Sequence, residues 1–359
     1  MTTRRTFVKQ ISAAGALSAI PGFLQAQSKP EDKKIWAGLL HLSFNMWEEF
    51  ISPHRPFRGY RPDLRLSEPL WNDAVQRMAK SGMNMVVIDL GDAVKYESHP
   101  EISVNNAWSR DRLRQELTKM RALGLEPIPK LNFSAGHDTW MGPYGRMVST
   151  QPYYTFCRNI VAEVIDIFDK PRFFHLGMDE ETASHQHYYL HTVVRKNDVW
   201  WGDFYHLIGE VQKGGSRPWI WSDYMWDNLD LFLKKMPKSV VQSNWYYGES
   251  FALDSVKNTK DLKGNPQAAA IQRDSNRARS YLDLEANGYD QIPTGSFHDN
   301  NTHSIGNTVK FCKEHVADTR LLGFLQTFWK PTIEEYRNLI LTGIDLTADS
   351  KAWFEKNKK

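Results

Sequence analysis

Cysteine is nearly absent: the chain holds only Cys157 and Cys312. Two cysteines exclude a disulfide framework, and both stand in helix-patterned segments, which suits buried, inert thiols. No stretch after the first two dozen residues is apolar enough to cross a bilayer. A charge of one sign is missing too. The formal net charge is +3, and Arg4, Arg5 and Lys9 account for all of it. From residue 27 onward the charges balance, and nothing there reads as a nucleic-acid surface. No Gly-rich turn follows the first strand-like run, which argues against a nucleotide-binding open sheet. No Pro- or Ser-rich linker interrupts the chain, so one domain is expected.

The amino terminus carries a distinct pattern. Thr3-Arg4-Arg5-Thr6-Phe7-Val8-Lys9 precedes a short apolar stretch, Ile11 to Leu24, and a small residue, Ala26. This reads as a twin-arginine export signal, too short and too rich in Ala and Gly for a membrane span. The expectation is a signal over 1–26 and a single domain over 27–359. The twin-arginine translocase would carry the folded protein to the periplasm or beyond. No Cys lies near the cleavage site, so no lipid anchor is expected.

Eight apolar runs read as strands, at about 35–44, 83–90, 125–133, 172–179, 217–223, 240–246, 289–297 and 321–329. Most are continuous rather than alternating, as strands covered by helices are. Helical periodicity fills the gaps. Ser109 looks like a cap before Leu113, Leu117 and Met120, and Gly124 is the stop. Other helices are expected near 69–80, from Pro152, and near 198–213, 268–287, 304–316 and 332–343. The link between strands five and six is the weakest repeat. Alternating strands and helices of this number predict an α/β fold, the (β/α)8 TIM barrel. A barrel puts its chemistry at the carboxyl ends of its strands. Polar or aromatic residues recur there, among them His41, Asp89, Asp92, Asn132, His137, Trp221, Asp223, His298, Asp299 and Trp329.

The fourth run, Phe173-Phe174-His175-Leu176-Gly177-Met178, ends abruptly in Asp179-Glu180. Acid-catalysed glycosidic cleavage needs such a pair, one carboxyl protonated and a second charge to stabilise a cationic centre. Strict alternation would send the two to opposite faces of the sheet. Both can serve one site only if the strand bends there.

His175-Leu-Gly-Met-Asp179-Glu180 resembles the H-x-G-G-D-E signature of glycoside hydrolase family 20, the β-N-acetylhexosaminidases. In the same order, Leu125 to His137 is similar to that family's third strand, which ends in P-G-H. Asp89-Leu-Gly-Asp92 with His99-Pro100-Glu101 resembles its strand-two loop. Trp221, Trp245 and Trp329 fall where the family stacks sugar on tryptophan. The resemblance implies a substrate-assisted, retaining hydrolase. Glu180 would be the general acid, and Asp179 would orient a 2-acetamido group that attacks the anomeric carbon. The residues expected to bind substrate are Asp92, His137, His175, Trp221, Trp245, Tyr247, Asp299 and Trp329; Tyr247 and Asp299 enter by their places near strand ends, since the family's acetamido-binding Tyr has no clear counterpart here.

Several positions depart from that pattern. The first strand, Trp36 to His41, lacks the family's sugar-holding arginine. Trp329 is followed by Lys330-Pro331 in place of W-x-E, and Met178 stands where the second glycine would be. Two alternatives stay open: a retaining or inverting pair of Glu180 with Asp299, or a carbohydrate-binding barrel without catalysis. His185, His187 and His191 have spacing that suits a metal, but no carboxylate or Cys pattern accompanies them. No metal and no cofactor are expected.

Overall fold

The structure, a computed structural model, describes residues 33–251, 253 and 266–357, so the expected signal over 1–26 lies outside the described residues. Eight strands run parallel: β1 (Ile35–His41), β2 (Met85–Asp89), β3 (Glu126–Lys130), β4 (Phe173–His175), β5 (Arg217–Trp221), β6 (Val241–Ser243), β7 (Thr294–Ser296) and β8 (Gly323–Thr327). Their order is β6-β5-β4-β3-β2-β1-β8-β7. The two ends of that series meet through single bridges, Gln242 with Gln291 and Trp245 with Thr294. The fold is a nearly closed (β/α)8 barrel.

The helices are α1 (Glu68–Lys80), α2 (Arg110–Ala122), α3 (Gln151–Ile167), α4 (Asp198–Lys213), α5 (Tyr224–Asp227), α6 (Leu229–Lys235), α7 (Pro266–Ala286), α8 (Ser304–His315) and α9 (Arg337–Lys356). Ser109 caps α2 as expected, its Oγ accepting from the Arg112 N–H at 3.1 Å. The weak repeat between β5 and β6 holds the two short helices α5 and α6. The last helix begins later than its sequence pattern suggests. Thr332 is held outside the helix, because its carbonyl accepts from Ser67 N–H and its hydroxyl donates to the His41 carbonyl, both at 2.8 Å. Among the described residues no helix is long and apolar enough to cross a membrane.

Strand alternation divides the apolar residues in two. Ile35, Ala37, Leu39, Met85, Val87, Ile128 and Trp219 fill the barrel interior, while Trp36, Leu40, Val86 and Ile88 face the helices. Cys157 and Cys312 are free thiols buried in helices of the outer layer.

Two local features shape the carboxyl end. First, β3 contains Pro127 and Pro129. Glu126 donates towards β2 and Leu131 towards β4. Alternate residues face opposite neighbours, so the prolines remove two donors on the β4 side. Accordingly β3 and β4 pair in register only at Lys130 and His175. Second, Lys130 is fully buried inside the barrel, with Nζ 2.5 Å from Asp89 Oδ2. His41 Nδ1 lies 3.3 Å from the same oxygen. Asp89, a strand-end candidate, is thereby committed to neutralising a buried lysine.

Candidate active site

Regular strand geometry ends at His175, and Leu176 to Glu180 take another path. Gly177, Met178 and Glu180 have φ of 68°, 75° and 52°, in the left-handed region. Each such non-glycine residue costs on the order of 1–2 kcal/mol, so neighbouring bonds must hold it there. Asn132 supplies two: its Oδ1 accepts from Met178 N–H at 3.2 Å and its Nδ2 donates to Asp179 Oδ1 at 2.7 Å. Asp223, just beyond β5, accepts from Glu180 N–H. Gly177 is obligatory, because a Cβ there would lie 2.1 Å from Asn132 Oδ1. Gly136 serves a close approach, since a Cβ would come within 2.8 Å of the Glu180 carbonyl oxygen. The result answers the alternation problem. Asp179 and Glu180, adjacent in sequence, both line one cavity at the carboxyl end of the barrel.

That cavity has a volume of about 600 Å³. Trp47, Trp245, Tyr247 and Trp329 form its aromatic walls. Tyr247 stacks on Trp245 with centroids 5.2 Å apart, and its hydroxyl accepts from Trp329 Nε1 at 3.1 Å. Trp47 packs edge-on against both Trp329 and His137. Rings locked in this way present flat apolar faces with little entropy left to lose.

His137 organises the charge. Its Nε2 lies 3.5 Å from Asp179 Oδ2 and 3.5 Å from Glu180 Oε2, and neither ring nitrogen has a hydrogen-bond partner within normal reach. These are charge contacts. Burial disfavours the imidazolium, but the two carboxylates outweigh it and raise the pKa to about 9. His185 Nε2 stands 3.2 Å from Glu180 Oε2. Burial raises the Glu180 pKa, yet the two histidines outweigh it and hold the carboxyl well below the usual range. Asp223 goes the other way: burial, then the charge of Asp179, raises it to about 8. At neutral pH the unliganded site therefore holds an ionised Glu180, a protonated His137 and a neutral Asp223.

Of the residues expected from sequence, His137, Asp179, Glu180, Trp245, Tyr247 and Trp329 line the cavity. Four do not. Asp92 is buried behind the β1 end, where it accepts from Ser43 Oγ at 2.6 Å and Asn45 Nδ2 at 3.0 Å. His175 faces the barrel interior; its Nδ1 accepts from Gly177 N–H, and its ring packs on Trp219 and Trp221. Trp221 is buried beneath Trp329. The Asp299 side chain is 71% exposed and pairs with His298 and Lys330. Glu181 is also occupied, by the buried Arg195, which donates onward to the Phe133 carbonyl at 2.7 Å.

The sequence reading missed Trp47, Arg55 and Arg58, which enter the cavity from the β1–α1 connection over residues 42–67, and Arg277 from α7. An arginine absent from the first strand thus arrives from the loop after it. The length of that connection was the available signal, since long ordered loops on a barrel's carboxyl face tend to be functional. The histidine cluster disperses: His185 and His187 line the cavity, and His191 borders a separate small one. Among the described residues, His137, Asp179 and Glu180 offer ligand atoms within 4.8 Å of one another, a geometry able to hold a cation.

No protein-family model matches the chain, and no curated protein sequence matches it. Solved structures do resemble it. A β-N-acetylhexosaminidase from Bacteroides fragilis superposes with a TM-score of 0.55 and 11% identity, over 90% of this chain and 71% of that one. A catalytic module of the pneumococcal exo-β-D-N-acetylglucosaminidase StrH gives 0.56 and 14%, over 89% and 83%. Dispersin B gives 0.53 and 13%, over 89% of this chain and 99% of its own. At such identities the likeness establishes the barrel fold.

Proposed function

We propose that this chain is a glycoside hydrolase that cleaves a 2-acetamido sugar by a substrate-assisted, retaining route. The carrying observation is the left-handed turn that brings Asp179 and Glu180 together into one aromatic-walled cavity. Aromatic walls suit the apolar face of a pyranose. Asp179, fixed by Asn132, orients the acetamido group so that its carbonyl oxygen attacks the anomeric carbon. Glu180 delivers the proton to the departing oxygen. The free site stores that proton on His137, whose pKa of about 9 keeps it loaded at neutral pH. Glu180 and His137 then act as one pair carrying one proton, which must pass to Glu180 before the leaving oxygen is protonated. Asp299, exposed and outside the cavity lining, has no observation supporting it as a nucleophile. Export through the twin-arginine translocase to the periplasm or medium belongs to the same proposal, supported by Arg4-Arg5 and the apolar stretch after them.

The test is a panel of chromogenic glycosides with and without a 2-acetamido group. Turnover confined to acetamido sugars and abolished by Glu180→Gln supports the reading. Saccharide binding without turnover of any substrate would instead favour a binding barrel.

A further inference from the structure

Three cations stand on one side of the cavity mouth without adequate counter-charge. Arg55 and Arg58 line the cavity from the β1–α1 connection, and Lys330 follows Trp329 after β8. Among the described residues neither arginine forms an ion pair with a carboxylate. Arg58 lies on the face of Trp47, 4.2 Å from its centroid. Lys330 lies on Phe57 at 4.3 Å, its one carboxylate contact being the exposed Asp299 at 3.8 Å. Aromatic faces hold a cation in place but leave its hydrogen-bond donors unused. The acids whose charges reach Arg58 are Glu180, Glu48 and Asp299, none of them ion-paired with it, and burial raises the Glu48 pKa despite Arg58 nearby. The cations also disfavour one another: burial lowers the pKa of Lys330, and Arg58 and Arg55 add to that, outweighing Asp299 and Glu335. By contrast, the catalytic carboxylates already have cationic neighbours in His137 and His185. The arginine pair is thus surplus to the charge of the unliganded site.

We propose that the saccharide bound here carries an oxyanion, a sulfate ester or a uronic carboxylate, which sits on Arg55 and Arg58 with Lys330 behind them. This rests on the glycosidase reading for its saccharide class, and the charge argument stands on the wall residues alone. Guanidinium groups bind both oxyanions through paired donors, and an aromatic backing fixes their orientation.

The experiment separates binding from turnover. Affinities of Glu180→Gln protein for a neutral disaccharide, its sulfated form and a uronate-containing counterpart are measured at low and high salt. At least a ten-fold preference for one or both charged forms, weakened by salt, is expected. In Arg58→Gln and in Lys330→Gln, each made in the Glu180→Gln background with its fold checked by thermal melting, the charged-to-neutral ratio should fall at least five-fold. Arg58→Lys should restore part of it. Equal affinity for neutral and charged ligands, or a preference untouched in both wall variants, overturns the proposal. If wild-type protein hydrolyses none of these ligands yet keeps the charge preference, the glycosidase reading fails and the anion site stands.

Discussion

The backbone N–H of Glu180 donates to Asp223 Oδ2 at 2.9 Å, tying the end of β4 to the end of β5. The bond clamps Glu180 in a left-handed conformation that its side chain resists. The acceptor is a carboxyl whose pKa stands at about 8. At neutral pH it acts as a fixed dipole, adding little charge beside two other acids.

Asp223→Asn should therefore be mild and Asp223→Ala severe. An amide oxygen accepts the same bond, so Asn should keep activity within about five-fold at neutral pH. Ala removes the clamp, and kcat should fall about 10²-fold with little change in KM. Stability against pH reads out the same group. Folded Asp223 keeps its proton up to about pH 8, whereas its unfolded value is near 3.8. The folded state binds more protons across that window, so stability falls as pH rises through it. Asp223→Asn should lose that slope, so its stability relative to the parent should rise steadily with pH between the two limits, measured by denaturant melts.

His137 gives a second pH signature. Its pKa rises from 6.5 to about 9, so its stabilising contribution is complete below about pH 6.5 and lost as pH rises through about 9. Activity should fall on the same alkaline limb, because the stored proton leaves. His137→Asn should remove the limb and lower kcat about 10²–10³-fold. An unaltered alkaline limb in that variant would rule out His137 as the proton store.

Gly177→Ala should destabilise by about 3 kcal/mol or more, because the new Cβ meets Asn132 at 2.1 Å and φ is 68°. Met178→Gly probes the opposite case. It relieves a left-handed residue but empties a buried side chain, and packing should win with a net loss of about 2 kcal/mol. Thermal melting of both variants decides.

The division of labour between the paired acids is open to a leaving-group series. Glu180→Gln should lose about 10²–10⁴-fold on poor leaving groups and far less on activated aryl glycosides. Asp179→Asn should lose activity on both, because ring closure by the acetamido oxygen no longer has its anchor. Equal losses across the series in both variants would remove the distinction.

Zinc should inhibit rather than activate. His137, Asp179 and Glu180 can share a cation, but occupancy would trap both carboxylates proposed to act on substrate. The proton on His137 competes with the metal, so inhibition should be stronger at about pH 9 than at about pH 6. Chelator treatment should leave the activity of the purified enzyme unchanged.

The strands and most helices were legible because their signals are periodic. Ser109 with Leu113, Leu117 and Met120, or the run Met85 to Asp89, needs no distant partner to be read. The pair Asp179-Glu180 was legible as adjacent carboxylates at a strand end, yet its shared orientation was not. That orientation depends on Asn132 and Asp223, far away in sequence. His175 and Trp221 were read as substrate contacts because an inward-facing residue near a strand end looks the same whether it floors a cavity or fills the barrel. Arg55 and Arg58 sit in an irregular connection with no period to reveal which way they point.

The two prolines of β3 leave the wall between β3 and β4 almost without ladder bonds along its length. The backbone and buried polar bonds across this seam gather at the rim: Leu131 and Phe133 donating to His175 and Leu176, Asn132 reaching across to the carboxylate turn, and Arg195 gripping the Phe133 carbonyl. At the base the seam is held by side chains instead, the Arg172 guanidinium donating to both carboxylate oxygens of Glu126. The bonds that hold the carboxylate turn therefore also help close the barrel wall. Loss of the Asn132 side chain would loosen this wall and the carboxylate turn together.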